Sequence, residues 1–355
     1  MEKKRIVVKI GSSSLTNAKG ELDYFKFHEH IGAIARLKQQ GHDVLLVSSG
    51  AVAAGFRKLG YSSRPVTLKG KQAAAAVGQS VLIQAYMSAF EQFGMIAAQV
   101  LLTRSDFSKK ERYKNAYATF SELLDRSVIP IINENDTVSI SELTFGDNDM
   151  LSALVSGLVH ADQLIILTDI NGLYDANPAK NPRAKRLDHI HEITDEMLGF
   201  ADGAGSKVGT GGMQSKLLAA RTALNFGVKT FIGTGYDTHK LLHILEGDGD
   251  GTYVEHDALK IVNTSKQWIS LAEANGKLFV DEGAKEALCT QGRSLLAIGV
   301  CAIEGSFNKG DVIEVYYNKQ LLGRGETSFT SDDIRSMIGK RSDKPILHRD
   351  QWVQF

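Results

Sequence analysis

The chain has 355 residues, with 41 Lys plus Arg against 41 Asp plus Glu, 34 Gly, 5 Pro and 2 Cys. At roughly 150 residues per domain this allows about two domains, and the balanced charge excludes a chain drawn as a whole to nucleic acid or anionic lipid. Cys289 and Cys301 exclude a disulfide framework or a zinc knuckle; with a charged N-terminus that lacks a signal-type apolar run, and no long uninterrupted apolar stretch, they predict a cytoplasmic protein without a membrane span.

In chain order, short apolar runs alternate with amphipathic stretches. Strands are predicted at 6–10, 44–47, 96–102, 128–132, 164–167 and 228–232, continuous β-branched or leucine-rich runs suited to a sheet buried on both faces. Helices are predicted at 25–40, 72–93, 115–125, 149–160 and 213–226, and Gly41, Gly94 and Gly227 stand where helices stop. This rhythm predicts an α/β fold, a doubly wound domain with a mostly parallel sheet. After the acidic glycine turn at 247–251 the segments shorten. Strands at 277–280, 295–303, 312–317 and 321–326, with short helices at 283–291 and 331–338, predict a small C-terminal mixed β domain. The expected boundaries are 1–256 for the large domain, 257–274 for a linker and 275–355 for the small domain.

P-loop, Rossmann, hydrolase and zincin motifs are all missing. What remains is a series of loops behind predicted strands, where open α/β sheets bind ligands. Val8-Lys9-Ile10-Gly11-Ser12 ends a strand on a lysine and a small hydroxyl-rich turn, which suits an anion; a strand-edge lysine beside an ordinary turn is the alternative. Ser48-Ser49-Gly50-Ala51 leads into a helix start and leaves backbone donors open, although close helix–strand packing explains small residues as well. Asn133-Glu134-Asn135-Asp136 and Gly146-Asp147-Asn148-Asp149 double an acidic, amide-rich cluster. Capping by Asp149 explains one residue of it, whereas a polar substrate or a hydrated metal explains both. Thr168-Asp169 ends a further strand and either holds a cationic group or closes an Asx turn. Six glycines between Gly199 and Gly212 run into a helix carrying Lys216, supplying N–H donors, a positive helix end and a cation, the parts that hold a transferring phosphate. Together these features describe phosphoryl transfer, in which positioning and charge neutralisation replace a dedicated nucleophile.

The order and spacing of these motifs resemble the amino acid kinase family, in the branch that phosphorylates the glutamate side chain and carries a C-terminal PUA domain. The resemblance spans essentially the whole chain, and the segments 280–284 and 295–300 are similar to the start of the PUA module. It implies ATP-dependent phosphorylation of the side-chain carboxylate of L-glutamate to L-glutamyl 5-phosphate, the first step of proline biosynthesis. Mg2+ would bridge the ATP phosphates, with its protein carboxylate, if any, unidentified. The resemblance assigns glutamate to Ser49, Gly50, Ala51, Asp136, Asp147, Asn148 and Asp149. It assigns ATP to Lys9, Gly11, Thr168, Asp169, Thr210, Gly211, Gly212, Met213, Gln214, Ser215 and Lys216. Lys9 and Lys216 would neutralise the transferring group, with Asp169 orienting both. Proline as a feedback inhibitor and a homo-oligomer are also implied, and association with the next pathway enzyme is left open.

Kinases of N-acetylglutamate or aspartate share this fold, but the Asp136 and Asn148 environment and the PUA-like tail favour free glutamate. From Lys277 to Phe355 eleven Lys plus Arg meet eleven Asp plus Glu, so RNA is not an expected partner despite the usual setting of such modules.

Overall fold

The computed structural model describes residues 2–17, 21–138, 148–176, 178, 181–201, 212–256 and 262–355. The chain divides into two compact units, one of Met1–Arg104 with Asn115–Ile261, the other of Ser105–Lys114 with Val262–Phe355.

The first unit is built on strands β1 (Arg5–Ile10), β2 (Asp43–Val47), β3 (Ala97–Leu102), β4 (Ile129–Glu134) and β5 (Gln163–Leu167). A small hairpin, β6 (Leu173–Tyr174) and β7 (Arg186–Leu187), follows, then β8 (His189–Ile190), β9 (Lys229–Gly233) and β10 (Gly251–Val254). Eight strands form one sheet in the order β3-β4-β2-β1-β5-β9-β10-β8. It is parallel from β3 to β9, and β10 runs antiparallel to β9. The order changes direction at the β1–β5 pair, and the crevice at such a switch point is where open sheets take ligands.

The helices of this unit are α1 (Ser12–Leu15), α2 (Tyr24–Gln39), α3 (Ala51–Gly55) and α4 (Leu68–Glu91); after α5 (Arg104–Ser108), which falls almost wholly in the other unit, and α6 (Lys110–Asp125), which joins this unit from Asn115, come α7 (Asn148–Leu158), α8 (Asp195–Ala201), α9 (Met213–Asn225) and α10 (Lys240–Glu246). The Asp23 side chain starts α2 by accepting from the N–H groups of Phe25 and Lys26. Alternation along β1 decides what meets what. Ile6, Val8 and Ile10 join a core with Phe27, Ile31 and Ile34 of α2, Leu82, Tyr86 and Phe90 of α4, and Leu241 and Ile244 of α10. Each fully buried aliphatic side chain there contributes about 1.5–3 kcal/mol. Val7 and Lys9 therefore face the other side, where α7 packs on β1 and α9 packs on α7.

Helix α4 is long and apolar enough to cross a membrane by length and composition alone; its residues Ala74, Ala75, Leu82, Tyr86, Ala89 and Phe90 lie in the protein core. The short α3 rests directly on it. A Cβ on Gly78 would stand 1.7 Å from the Ala51 carbonyl oxygen, and one on Gly55 2.0 Å from that of Ala74, so both positions need glycine for backbone contact.

The second unit contains α11 (Thr264–Leu271), β11 (Gly276–Val280), α12 (Glu282–Cys289), β12 (Val300–Gly305), β13 (Val312–Tyr317), β14 (Gln320–Thr327), α13 (Ser331–Met337) and β15 (Leu347–Gln354). Its sheet has the order β12-β11-β13-β14-β15. Only β11 and β13 pair in parallel, giving a mixed sheet. Leu278, Ile313, Val315, Leu322 and Trp352 fill its core.

Three details of the second unit depart from the sequence reading. Helix α11 lies inside the stretch read as linker, started by Asn263, whose side chain accepts from the Lys266 N–H at 2.8 Å. The strand expected from 295 begins at Val300, after a single tight turn at Ala297–Gly299 where a Cβ on Gly299 would lie 2.6 Å from that of Ala284. Strand β15 was not predicted because Leu-His-Arg-Asp-Gln-Trp-Val-Gln is too polar to read as a buried run.

Candidate active site

Three elements converge behind the C-terminal end of β1. Lys9, on the α7 side of that strand, is 4% exposed; Asp149, in the first turn of α7, is 0% exposed; Lys216, in the first turn of α9, is 6% exposed. The Lys9 Nζ lies 2.5 Å from Asp149 Oδ1, and the Lys216 Nζ lies 3.0 Å from Oδ2. Ser215 also donates to Oδ2, at 3.0 Å. Burial pushes the Asp149 carboxyl up, but the two lysine charges and their hydrogen bonds outweigh it and hold the group below the usual carboxylate range. The three side chains together carry one net positive charge in a buried setting, which favours an anionic ligand.

Asn148, immediately before Asp149, faces the loop after β2. Its Nδ2 donates to the Ser48 carbonyl at 2.5 Å, to Ser49 Oγ at 3.0 Å and to Asn133 Oδ1 at 2.8 Å. Two N–H bonds serve three acceptors, so the weakest, Ser49, can be surrendered to a ligand. Asn133 donates in turn to Gln79 on α4 at 2.8 Å. Ser48 Oγ lies 2.8 Å from the Tyr86 hydroxyl and donates to the Ser49 carbonyl at 3.2 Å. Gly50 has φ +103°, a left-handed conformation that favours glycine, and turns the chain into α3 at Ala51.

On the remaining side, Gly11 follows β1 and Thr168 follows the adjacent β5. A Cβ on Gly11 would lie 3.5 Å from the Lys9 Nζ and 3.8 Å from the Leu167 carbonyl. The Thr168 N–H donates to the Gly233 carbonyl at 2.9 Å, and its hydroxyl donates to Asp169 at 3.1 Å. Gly212, Met213 and Gln214 form the start of α9, and among the described residues no side chain caps it, so its first N–H groups can face a ligand. Beneath α1, His30 donates from Nε2 to the Ser14 carbonyl at 3.3 Å. Burial first, and then the Lys240 charge, push its imidazole down to about 3, so it is neutral.

The predicted residues thus fall into two clusters joined at the start of α7. Lys9, Asp149, Ser215 and Lys216 meet in one, and Ser49, Gly50 and Asn148 meet in the other. One expectation is corrected. Asp169 was expected to orient the lysines, but it is exposed at the end of β5, and the carboxylate between them belongs to Asp149, which had been read as a cap or a substrate ligand. Asp136 lies in the turn after β4; burial raises its carboxyl, with Arg64 opposing. Strand β4 continues to Glu134, so Asn133 and Glu134 are buried strand residues rather than loop residues. Asp147, Thr210 and Gly211 lie outside the described residues. Ser48 and Asn133 stand in the loops picked out above but without a role of their own, and Gln79 and Tyr86 are not picked out at all. An Asn inside an apolar strand was a usable signal for Asn133, whereas a Tyr on an apolar helix gave none.

The profile of the amino acid kinase family matches residues 4–234, and that of the PUA domain matches residues 276–348. The chain is 60% identical over 361 residues to glutamate 5-kinase 1 of Bacillus subtilis (strain 168), covering 99% of each. It is 57% identical to glutamate 5-kinase of Geobacillus kaustophilus (strain HTA426), covering 99% of this chain and 98% of that one. Among solved structures, carbamate kinase from Giardia lamblia bound to AMP-PNP aligns with a TM-score of 0.51 at 18% identity, over 72% of this chain and 99% of that one, a likeness of fold.

Proposed function

The chain belongs to the amino acid kinase family and carries a PUA domain, and from that premise we propose how its residues divide the work. The reaction is ATP-dependent phosphorylation of the glutamate side-chain carboxylate, giving L-glutamyl 5-phosphate and ADP, the first step of proline biosynthesis. The acceptor is a carboxylate with an ordinary pKa of about 4.3, already ionised at neutral pH. No general base is needed, and the protein's task is to bring two anions together and offset the charge of the transferring group.

Lys9 and Lys216 donate to the oxygens of that group. Asp149 fixes both ammonium groups in place and, held ionised by them, takes up no proton during turnover. The start of α9 from Gly212 to Ser215, with Gly11 and the Thr168-Asp169 turn, holds the nucleotide, together with Thr210 and Gly211, which precede it in the sequence. Asn148, Ser49 and the backbone at Gly50 and Ala51 hold glutamate near its reacting end, and Asp136, with Asp147, takes its α-ammonium group.

Mg2+ would supply positive charge to the ATP phosphates at the nucleotide side of the site, where exposed Asp169 is the carboxylate that would meet it. Among the described residues no group of three His, Cys, Asp or Glu side chains could hold a metal, and Asp149 is committed to two lysines. The chain fits an ion carried in on the phosphates and met by one or two carboxylates at most. Proline as an inhibitor, self-association and a cytoplasmic location belong to the same proposal and are supported by the family resemblance.

The observation that carries the site assignment is the single buried carboxylate shared by two buried lysines. Hydroxylamine trapping of the acyl phosphate, run with glutamate, N-acetylglutamate and aspartate and with or without proline, tests the reading. Turnover with glutamate alone supports it; comparable turnover with either of the others and none with glutamate overturns it.

A further inference from the structure

We infer that Tyr86 is a positioning residue for the glutamate loop, acting through Ser48 on the peptide between Ser49 and Gly50. The inference rests on the reading that this loop receives glutamate. Tyr86 sits on α4 at 0% exposure, with its ring 4.7 Å from that of Phe27 and 6.4 Å from that of Phe90. A phenylalanine would suit these neighbours equally well, so packing alone does not explain the hydroxyl.

That hydroxyl lies 2.8 Å from Ser48 Oγ, and Ser48 is 1% exposed. Ser48 has one hydroxyl proton and directs it to the Ser49 carbonyl at 3.2 Å. Tyr86 is therefore the donor to Ser48, and the chain of bonds runs from Tyr86 through Ser48 to the Ser49 carbonyl. The peptide is planar and trans, so fixing the carbonyl on Ser48 points the Gly50 N–H to the opposite side, away from the core. Asn148 fixes the preceding carbonyl, that of Ser48, at 2.5 Å. Two successive carbonyls are thus held inward, and the N–H groups between and after them are set in direction before substrate arrives. Prepaid orientation of this kind appears in substrate affinity rather than in the chemical step.

The test compares Tyr86→Phe, Ser48→Ala and the double variant in the hydroxamate assay, with glutamate and ATP each varied, alongside urea unfolding. Each single change is expected to raise the KM for glutamate roughly three- to tenfold, the size of one lost hydrogen bond, with the KM for ATP unchanged. The double variant is expected to match the singles rather than multiply them, because both break one chain. Tyr86→Phe with an unaltered KM for glutamate overturns the inference whatever its stability, as does an equal rise in both KM values. If Ser48→Ala does not fold, Tyr86→Phe decides alone. The reading beneath fails separately: Asn148→Ala with wild-type KM for glutamate would remove the glutamate loop itself, whereas a raised KM there with no effect at Tyr86 removes only this inference.

Discussion

Lys9 and Lys216 hold opposite oxygens of one carboxylate, at 2.5 and 3.0 Å from Asp149 Oδ1 and Oδ2. They come from a strand and a helix far apart in the chain, so the spacing of the two ammonium groups is set by the width of a carboxylate. A group of fixed size thereby measures out the separation of the two cations offered to a phosphoryl group.

Asp149→Asn retains the shape and removes the charge, leaving two ammonium groups against a neutral amide. The expected result is a fall in kcat of about 10²–10³-fold, the range seen when preorganised charge is lost, with a smaller change in the KM for glutamate. Lys9→Ala and Lys216→Ala should each lower kcat by orders of magnitude. Steady-state hydroxamate rates check this, and wild-type kcat in Lys216→Ala would remove that lysine from the mechanism.

Asn148→Ala takes away the donor shared by Ser48, Ser49 and Asn133. The KM for glutamate should rise at least about tenfold, a cost of about 1.4 kcal/mol in binding, while the KM for ATP stays near the wild-type value. A rise in the KM for ATP alone would place Asn148 on the nucleotide side.

His30 makes a pH prediction. Its folded value is about 3 against roughly 6.5 in the unfolded chain, so between these values the unfolded chain binds the extra proton. The stability it supports is fully present above about 6.5 and is lost as pH falls toward about 3. His30→Gln, which can still donate to Ser14, should show a shallower loss of urea stability than wild type between about pH 7 and pH 5. Equal slopes for the two proteins would refute the assignment.

Gly78→Ala tests the seat of α3. The added methyl meets the Ala51 carbonyl, so the helices must part, at a cost of about 1–3 kcal/mol or more. Urea unfolding should show that loss, and the KM for glutamate should rise because Gly50 and Ala51 begin the displaced helix. Unchanged stability would mean that α4 yields without resistance.

The central strands were legible because burial on both faces leaves continuous apolar runs, and Lys9 and Lys216 stood out as charges placed against anion-binding loops. Asp149 was legible only as a residue. A carboxylate in a first helical turn looks like a cap, and its tie to two lysines exists only once β1, α7 and α9 pack. Tyr86 was hidden for the opposite reason, since an aromatic residue on an apolar helix gives no sign that its hydroxyl has a partner. Helix α11 was missed because a stretch between two domains was read as linker, although Asn263 followed by helix formers was there to be seen.

Helix α3 has five residues, Ala51–Gly55, well below the length at which a helix persists by itself. Its order is borrowed from α4 through the Gly55 and Gly78 contacts. The amides of Ala54 and Phe56, bonded to the carbonyls of Gly50 and Val52, should therefore exchange with solvent at the rate at which α3 lifts from its long neighbour. On that view the glutamate loop belongs to the same cooperative unfolding unit as α4, and the acceptor side of the site opens and closes with a helix whose exposed face touches no substrate.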